Sequence, residues 1–205
     1  MDRLKNWQLF AICVLTWGTT WYAITFQVGY MAPEVGVALR FALAGTVVLA
    51  SCLLRGVGLR FTPRDHALLA LQGSFLYGFS YVCVYHAELY IVSGLVAVGY
   101  SASPLVAGLG ANVLFGVRVT GRFVLGGLLG LAGIVLIFWP VFGWAAGGHG
   151  VLLGALFTIA AVLLSTVGSL TAFRNRKHKL PFWTALGFGM LYVAAIGAIV
   201  ALLQG

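Results

Sequence analysis

The chain has 205 residues, of which 61% are hydrophobic and 8% charged, and its formal net charge is +8. Soluble domains carry about 25% charged residues, so this composition excludes an ordinary water-soluble globular fold. It also excludes a nucleic-acid surface, because nearly all the Lys and Arg residues fall in alternate gaps between long apolar segments.

A bilayer core about 30 Å thick needs about 20 apolar residues per helix. Seven segments meet that length, and the pattern predicts spanning helices over 7–29, 33–54, 67–87, 90–115, 122–142, 150–172 and 182–203. The first follows Met1 to Lys5. It is too long and too aromatic for a signal peptide and lacks a small-residue cleavage site, so it reads as an uncleaved span. Pro33 and Pro181 stand at the first turns of their helices, where a missing N–H costs little. Pro104 falls mid-helix and predicts a kink.

Cys13, Cys52 and Cys83 lie inside apolar segments without metal-ligand spacing and read as packing residues. Gly126 with Gly130, and Ser103, Ala107 and Ala111, form small-residue stripes that predict close helix contact. Trp7, Trp139, Trp144, Trp183 and Tyr30 sit near segment ends as interfacial anchors, whereas Trp17 and Trp21 lie deep in the first segment.

The gaps differ in charge. Arg3 and Lys5 precede the first segment; Arg55, Arg60 and Arg64 follow the second. Arg118 and Arg122 follow the fourth, and Arg174, Arg176, Lys177 and Lys179 the sixth. The other three gaps have no Lys or Arg. Basic residues concentrate on the cytoplasmic side. The expectation is a multi-pass protein of the inner membrane with a cytoplasmic N-terminus and residue 205 on the outer side.

The chain also echoes itself. Pro33 with Ala38-Leu39-Arg40-Phe41 is matched by Pro181 with Ala185-Leu186-Gly187-Phe188. The segment before each has a Thr- or Ser-rich middle: Thr16, Thr19 and Thr20, then Ser165, Thr166 and Ser169. An offset of five helices is odd, so the second copy would be inverted, an arrangement common in secondary transporters.

Trp17-Gly18-Thr19-Thr20-Trp21, then Pro33 and Ala38-Leu39-Arg40-Phe41, resemble the opening of an EamA-type repeat of the drug/metabolite transporter superfamily. Ser93-Gly94-Leu95-Val96-Ala97 and Ser103-Pro104-Leu105 resemble its fourth helix, and the run from Gly126 to Gly133 its fifth. The resemblance implies a ten-helix transporter of small metabolites, amino acids or drugs, built from two inverted five-helix repeats. On this expectation residues 1–145 form a first repeat and 146–205 the first two helices of a second. A homodimer would complete the cavity if seven helices are the whole molecule. The acidic turn that the family often carries after helix four reads Phe115-Gly116-Val117-Arg118 here.

Arg40 is the one ionisable residue well inside a segment, and such a residue is a functional candidate by default. It lies about 10 Å from the outer end of its helix, near enough to pair with Glu34 or Glu88 or to snorkel. Tyr77, Tyr81 and Tyr85 repeat every four residues and share one helix face, with Ser80 beside them. A tyrosine stripe that leaves the interface belt faces protein or a wet cavity. Trp17, Thr20, Trp21 and Ile24 share a face of the first segment. Tyr100, Ser101 and Ser103 precede the Pro104 break, and a broken helix at membrane depth lines a cavity or is buried. The expected substrate-binding set is therefore Trp17, Thr20, Trp21, Arg40, Tyr77, Ser80, Tyr81, Tyr100 and Ser103. Asn112, Ser165 and Ser169 are further candidates, and each could equally be an interhelical hydrogen bond.

No nucleotide loop, catalytic triad or metal-ligand cluster is legible, so no cofactor, no metal and no enzymatic reaction is expected. The expected partners are a small-molecule substrate and membrane lipids. A retinal protein would need a lysine in the last helix, and small multidrug pumps need an acid in the first; neither is present. The leading expectation is a secondary transporter or exporter working by alternating access. The alternatives are a membrane-embedded enzyme and a non-functional fragment of a ten-helix transporter.

Overall fold

The computed structural model describes residues 5–27, 30–144 and 149–204. Arg3, the side chain of Trp144 and Gly205 lie outside the described residues.

The regular elements are helices, seven among the described residues: α1 Asn6–Thr25, α2 Pro33–Leu54, α3 Pro63–Glu88, α4 Ser93–Phe115, α5 Gly121–Trp144, α6 His149–Lys177 and α7 Phe182–Gln204. α2, α3, α4, α6 and α7 are long and apolar enough to cross a membrane, and α5 has a shorter apolar stretch over Gly121–Ile137. Thr16, Thr19, Thr20, Thr25 and three tryptophans make α1 more polar than these.

Local chemistry moves several predicted boundaries. α3 begins four residues early because Thr62 and Asp65 cap it reciprocally. The Asp65 amide donates to Thr62 Oγ1 at 3.2 Å and the Thr62 amide to Asp65 Oδ2 at 3.2 Å. α6 runs five residues further, through Arg174, Arg176 and Lys177, because cations favour the negative end of the helix dipole. α1 ends early, where Gln27 turns back on the Ile24 carbonyl.

Two helices are interrupted. α4 breaks at Ser101–Ala102 and restarts at Ser103 with Pro104 in its first turn, so the proline opens a new helical stretch rather than merely bending one. α3 contains a π-helical turn over Ser74–Phe79. Such turns are rare, and many of them occur at functional sites.

The centre of the bundle is α2, α3, α6 and α7. α3 with α6 and α2 with α7 form the two most extensive helix interfaces; α2 and α7 run antiparallel, with Gly45 near Gly187 and Ala38 near Gly197. α3 is wedged between α6 and α7. A Cβ on Gly73 would lie 2.1 Å from the Gly189 carbonyl oxygen, and one on Gly168 would lie 2.5 Å from the Leu76 amide nitrogen. Only glycine permits backbones this close. At the end of the bundle that carries Arg55, Arg60 and Arg64, His66 Nδ1 and the Tyr192 hydroxyl are hydrogen-bonded at 2.7 Å, with Phe61 and Phe188 packed edge-on around the imidazole.

α1 and α5 sit at the periphery. The predicted Gly126–Gly130 stripe does not pack: a Cβ at either position would meet nothing within 4 Å. The contact of α5 with α4 is one residue on, where Gly127 receives Leu105. Trp7, Trp139, Trp183 and Tyr30 are exposed, as interfacial anchors require.

Candidate functional site

Side chains from α1 to α4 and α6 meet in the middle of the bundle. The α3 stripe supplies Tyr77, Ser80, Tyr81 and Tyr85. Phe41 of α2 packs against two of these rings, 5.2 Å from Tyr77 and 5.2 Å, edge-on, from Tyr81. The Ser80 hydroxyl is fully buried and donates to the Ala161 carbonyl of α6 at 3.0 Å. It lies 3.1 Å from the Tyr100 hydroxyl of α4, so Tyr100 is the donor in that pair and Ser80 the acceptor. Tyr100 in turn meets Trp21 of α1 edge-on at 5.8 Å. Tyr85, 1% exposed, donates its hydroxyl to Gln27 Oε1 just beyond α1. α2, α4, α6 and the segment just past α1 are thus tied to α3 by phenols and one serine.

Arg40 lies over the Tyr81 ring, 5.2 Å from its centroid, with the Phe41 ring at 5.9 Å. A guanidinium at this distance is held by the ring quadrupole. The expected pairing with a carboxylate is not formed: among the described residues no carboxylate oxygen is within salt-bridge distance of Arg40. Glu34 pairs instead with His86, at 3.7 Å. Arg40 lies six helical positions after Glu34, which points the two about 120° apart. His86 stacks on Phe157 of α6 at 5.2 Å. Both carboxylate oxygens of Glu88 are buried without a hydrogen-bond partner among the described residues.

Six of the nine expected residues therefore come together: Trp21, Arg40, Tyr77, Ser80, Tyr81 and Tyr100. Three stand apart. Trp17 is 49% exposed on the outer face of α1. Thr20 is half-buried beside it, and Ser103 is half-buried at the restart of α4. The placement of Trp17 follows from the edge position of α1, where one turn separates it from the half-buried Trp21.

Sequence reasoning missed Phe41, Gln27 and the Gln72–Asn175 pair. Phe41 follows Arg40 in the resemblance motif, and Gln27 is three residues past Ile24 on the same face, so both carried a positional signal. Gln72 and Asn175 carried none. Asn175 Nδ2 donates to Gln72 Oε1 at 2.9 Å across 103 positions of sequence.

The chemistry of the cluster is that of a recognition surface: π faces, hydroxyls and one cation, with no nucleophile next to a base. Among the described residues no group of three His, Cys, Asp or Glu could hold a metal ion.

Residues 6–139 match the EamA-like transporter family. The chain is 30% identical over 170 residues to an uncharacterized transporter of Archaeoglobus fulgidus, covering 80% of this chain and 58% of that protein. It is 32% identical over 192 residues to the aromatic amino acid exporter YddG of Ancylobacter novellus, covering 91% and 63%. With the uncharacterized inner membrane transporter YedA of Escherichia coli it shares 31% identity over 223 residues, covering 95% and 70%. A crystal structure 28% identical to it superposes with a TM-score of 0.63, covering 93% of this chain and 63% of the other. The chain thus spans 58% to 70% of the length of these relatives. Its apolar helices and the family match agree: this is a multi-pass membrane protein that belongs to the EamA-like transporter family.

Proposed function

We propose that the protein moves small amphipathic organic solutes across the cytoplasmic membrane by alternating access, and that the aromatic–hydroxyl cluster on α3 is the solute path. The observation that carries this reading is the Trp21–Tyr100–Ser80 chain beside Arg40 on Tyr81. It puts polar and π groups from several helices at a depth where a merely structural bundle would bury aliphatic side chains. The aromatic amino acid exporter among the relatives supports an aromatic or zwitterionic solute.

Inverted repeats would use α2 and α7 as equivalent helices. Their antiparallel contact supports the division into 1–145 and 146–205. The basic gaps support a cytoplasmic position for the N-terminal end and for the Arg55–Arg64, Arg118–Arg122 and Arg174–Lys179 loops.

Counterflow of L-phenylalanine in proteoliposomes tests the reading. Tyr77→Ala and Tyr81→Ala should each slow exchange about tenfold, the scale of one lost aromatic contact, while the protein stays folded. Unchanged exchange in both variants would refute the path.

A further inference from the structure

The edge formed by α4, α5 and α6 carries two cavities that the aromatic cluster does not use. One, of about 350 Å³, runs between α4 and α5 past Arg122, Gly126 and Gly130. The other, of about 430 Å³, continues between α4, α5 and α6 to Trp139. Ala102, Leu131 and Ile134 line both, so the two form one groove. It opens away from the bundle, because Leu131 and Trp139 on its walls are exposed. Arg122, Gly126, Gly130 and Ile134 follow one another at intervals of four along α5 and share its groove side. From Arg122 to Ile134 the helix rises about 18 Å, close to the roughly 15 Å of one leaflet's share of the bilayer core.

The chemistry of the walls is divided. The Ser101 hydroxyl donates to the Val98 carbonyl at 2.6 Å, and that of Thr158 to the Gly154 carbonyl at 2.8 Å. Both hydroxyls in the groove are therefore already satisfied. Arg122 is the one charged side chain on its walls. Among the described residues no carboxylate is within salt-bridge distance of it. Glu34 begins α2 and Glu88 ends α3, at the opposite end of the bundle. Asp65 is at the same end as Arg122 but is held in the Thr62 cap. The groove thus offers an apolar channel one leaflet deep, headed by a cation that lacks a counter-ion.

We infer that this groove holds one anionic phospholipid of the leaflet at the basic end, its phosphate accepting from the Arg122 guanidinium and one acyl chain lying along Gly126 and Gly130 toward Ile134. A small soluble anion would satisfy Arg122 and leave the groove empty. An uncharged lipid would fill the groove and leave Arg122 unmatched. A zwitterionic lipid brings its own ammonium, which weakens the pairing of its phosphate with the guanidinium. The bound lipid covers the seam where α5 meets α4 through Gly127 on Leu105 and Phe123 on Gly108. The inference rests on the membrane placement of the helices and is independent of the solute path.

The test is lipid titration of the full chain in detergent, with the first bound lipid read by native mass spectrometry. The probes are phosphatidylglycerol and phosphatidylcholine with the same palmitoyl and oleoyl chains. Phosphatidylglycerol should bind about tenfold tighter, the scale of one charge-assisted hydrogen bond. Arg122→Gln, at an exposed position, should remove that preference and leave phosphatidylcholine binding nearly as it was. At Gly130 a Cβ meets nothing within 4 Å, so Gly130→Leu should fold. It should weaken both lipids about tenfold, the scale of two methylenes no longer buried. Arg60→Gln, elsewhere at the basic end, should change neither lipid. The inference is overturned if the wild type shows no preference, which is the behaviour of ordinary surrounding lipid. It is overturned equally if Arg122→Gln keeps the preference, if Gly130→Leu leaves both lipids as tight, or if the chain appears as a dimer that carries no lipid.

Discussion

Where α3 meets α6 and α7, the helices approach until only glycine fits; at the edge, α1 and α5 present large side chains outward. Gly73 and Gly168 touch backbone, while Gly126 and Gly130 face open space. Leu125, Leu128, Leu129 and Leu136 of α5 are exposed, as are Phe10, Leu15 and Trp17 of α1. The comparison teaches that the same residue type serves opposite ends. In the centre it lets backbones lock together, and at the edge it only leaves a groove. The polar groups follow the same division. Ser80, Gln72, Asn175, Thr158 and Thr184 are buried in the central helices, where each needs a partner.

The sharpest way to break the comparison is to put one methyl-bearing residue into each region. Gly73→Val should lower stability by about 3 kcal/mol or prevent folding, since the new Cβ meets backbone rather than a movable side chain. Its control, Gly126→Val, should stay within about 0.5 kcal/mol of wild type. Melting temperatures in detergent measure both, and equal effects would erase the distinction between centre and edge.

Next in size is Ser80→Ala, which strips the Tyr100 hydroxyl of its acceptor and the Ala161 carbonyl of a donor. A loss of about 1–2 kcal/mol is expected, and the Tyr100→Phe, Ser80→Ala double variant should recover part of it. Full additivity in that double-mutant cycle would mean that the two hydroxyls do not interact.

Arg40 gives a smaller and more selective effect. Arg40→Lys keeps a cation over Tyr81 but loses the flat guanidinium. It should keep more exchange activity than Arg40→Gln, with stability within about 1 kcal/mol in both. Equal activity in the two variants would count against a cation at this position. Trp17→Ala should show the smallest change, in stability and in exchange, because its side chain faces outward.

How much of this could be read from the chain alone divides along the same line. Helix count and order were legible because each span is a long apolar run cut by charge. The tyrosine stripe was legible because a period of four survives any rearrangement of neighbouring helices. Cap positions were less so: Thr62 and Asp65 carry the capping signature, yet the apolar run that flags the helix begins later. Partners were not legible. Arg40 has two carboxylates within axial reach, and only the angle between helix faces decides that it rests on Tyr81 while Glu34 turns to His86. The Gln72–Asn175 pair leaves no periodic trace, since it depends on how closely two glycines let α3 approach its neighbours.

The central claim is that the α3 tyrosine stripe lines a wet path rather than a dry packed seam. It is tested most directly by cysteine accessibility, with Cys13, Cys52 and Cys83 first replaced by Ala. Tyr77→Cys and Tyr81→Cys in intact membranes would be exposed to a water-soluble methanethiosulfonate reagent, with Val84→Cys, at a fully buried position, as the dry control. The account predicts labelling at 77 and 81, slowed by solute, and none at 84. No labelling at 77 and 81 from either side of the membrane would contradict it.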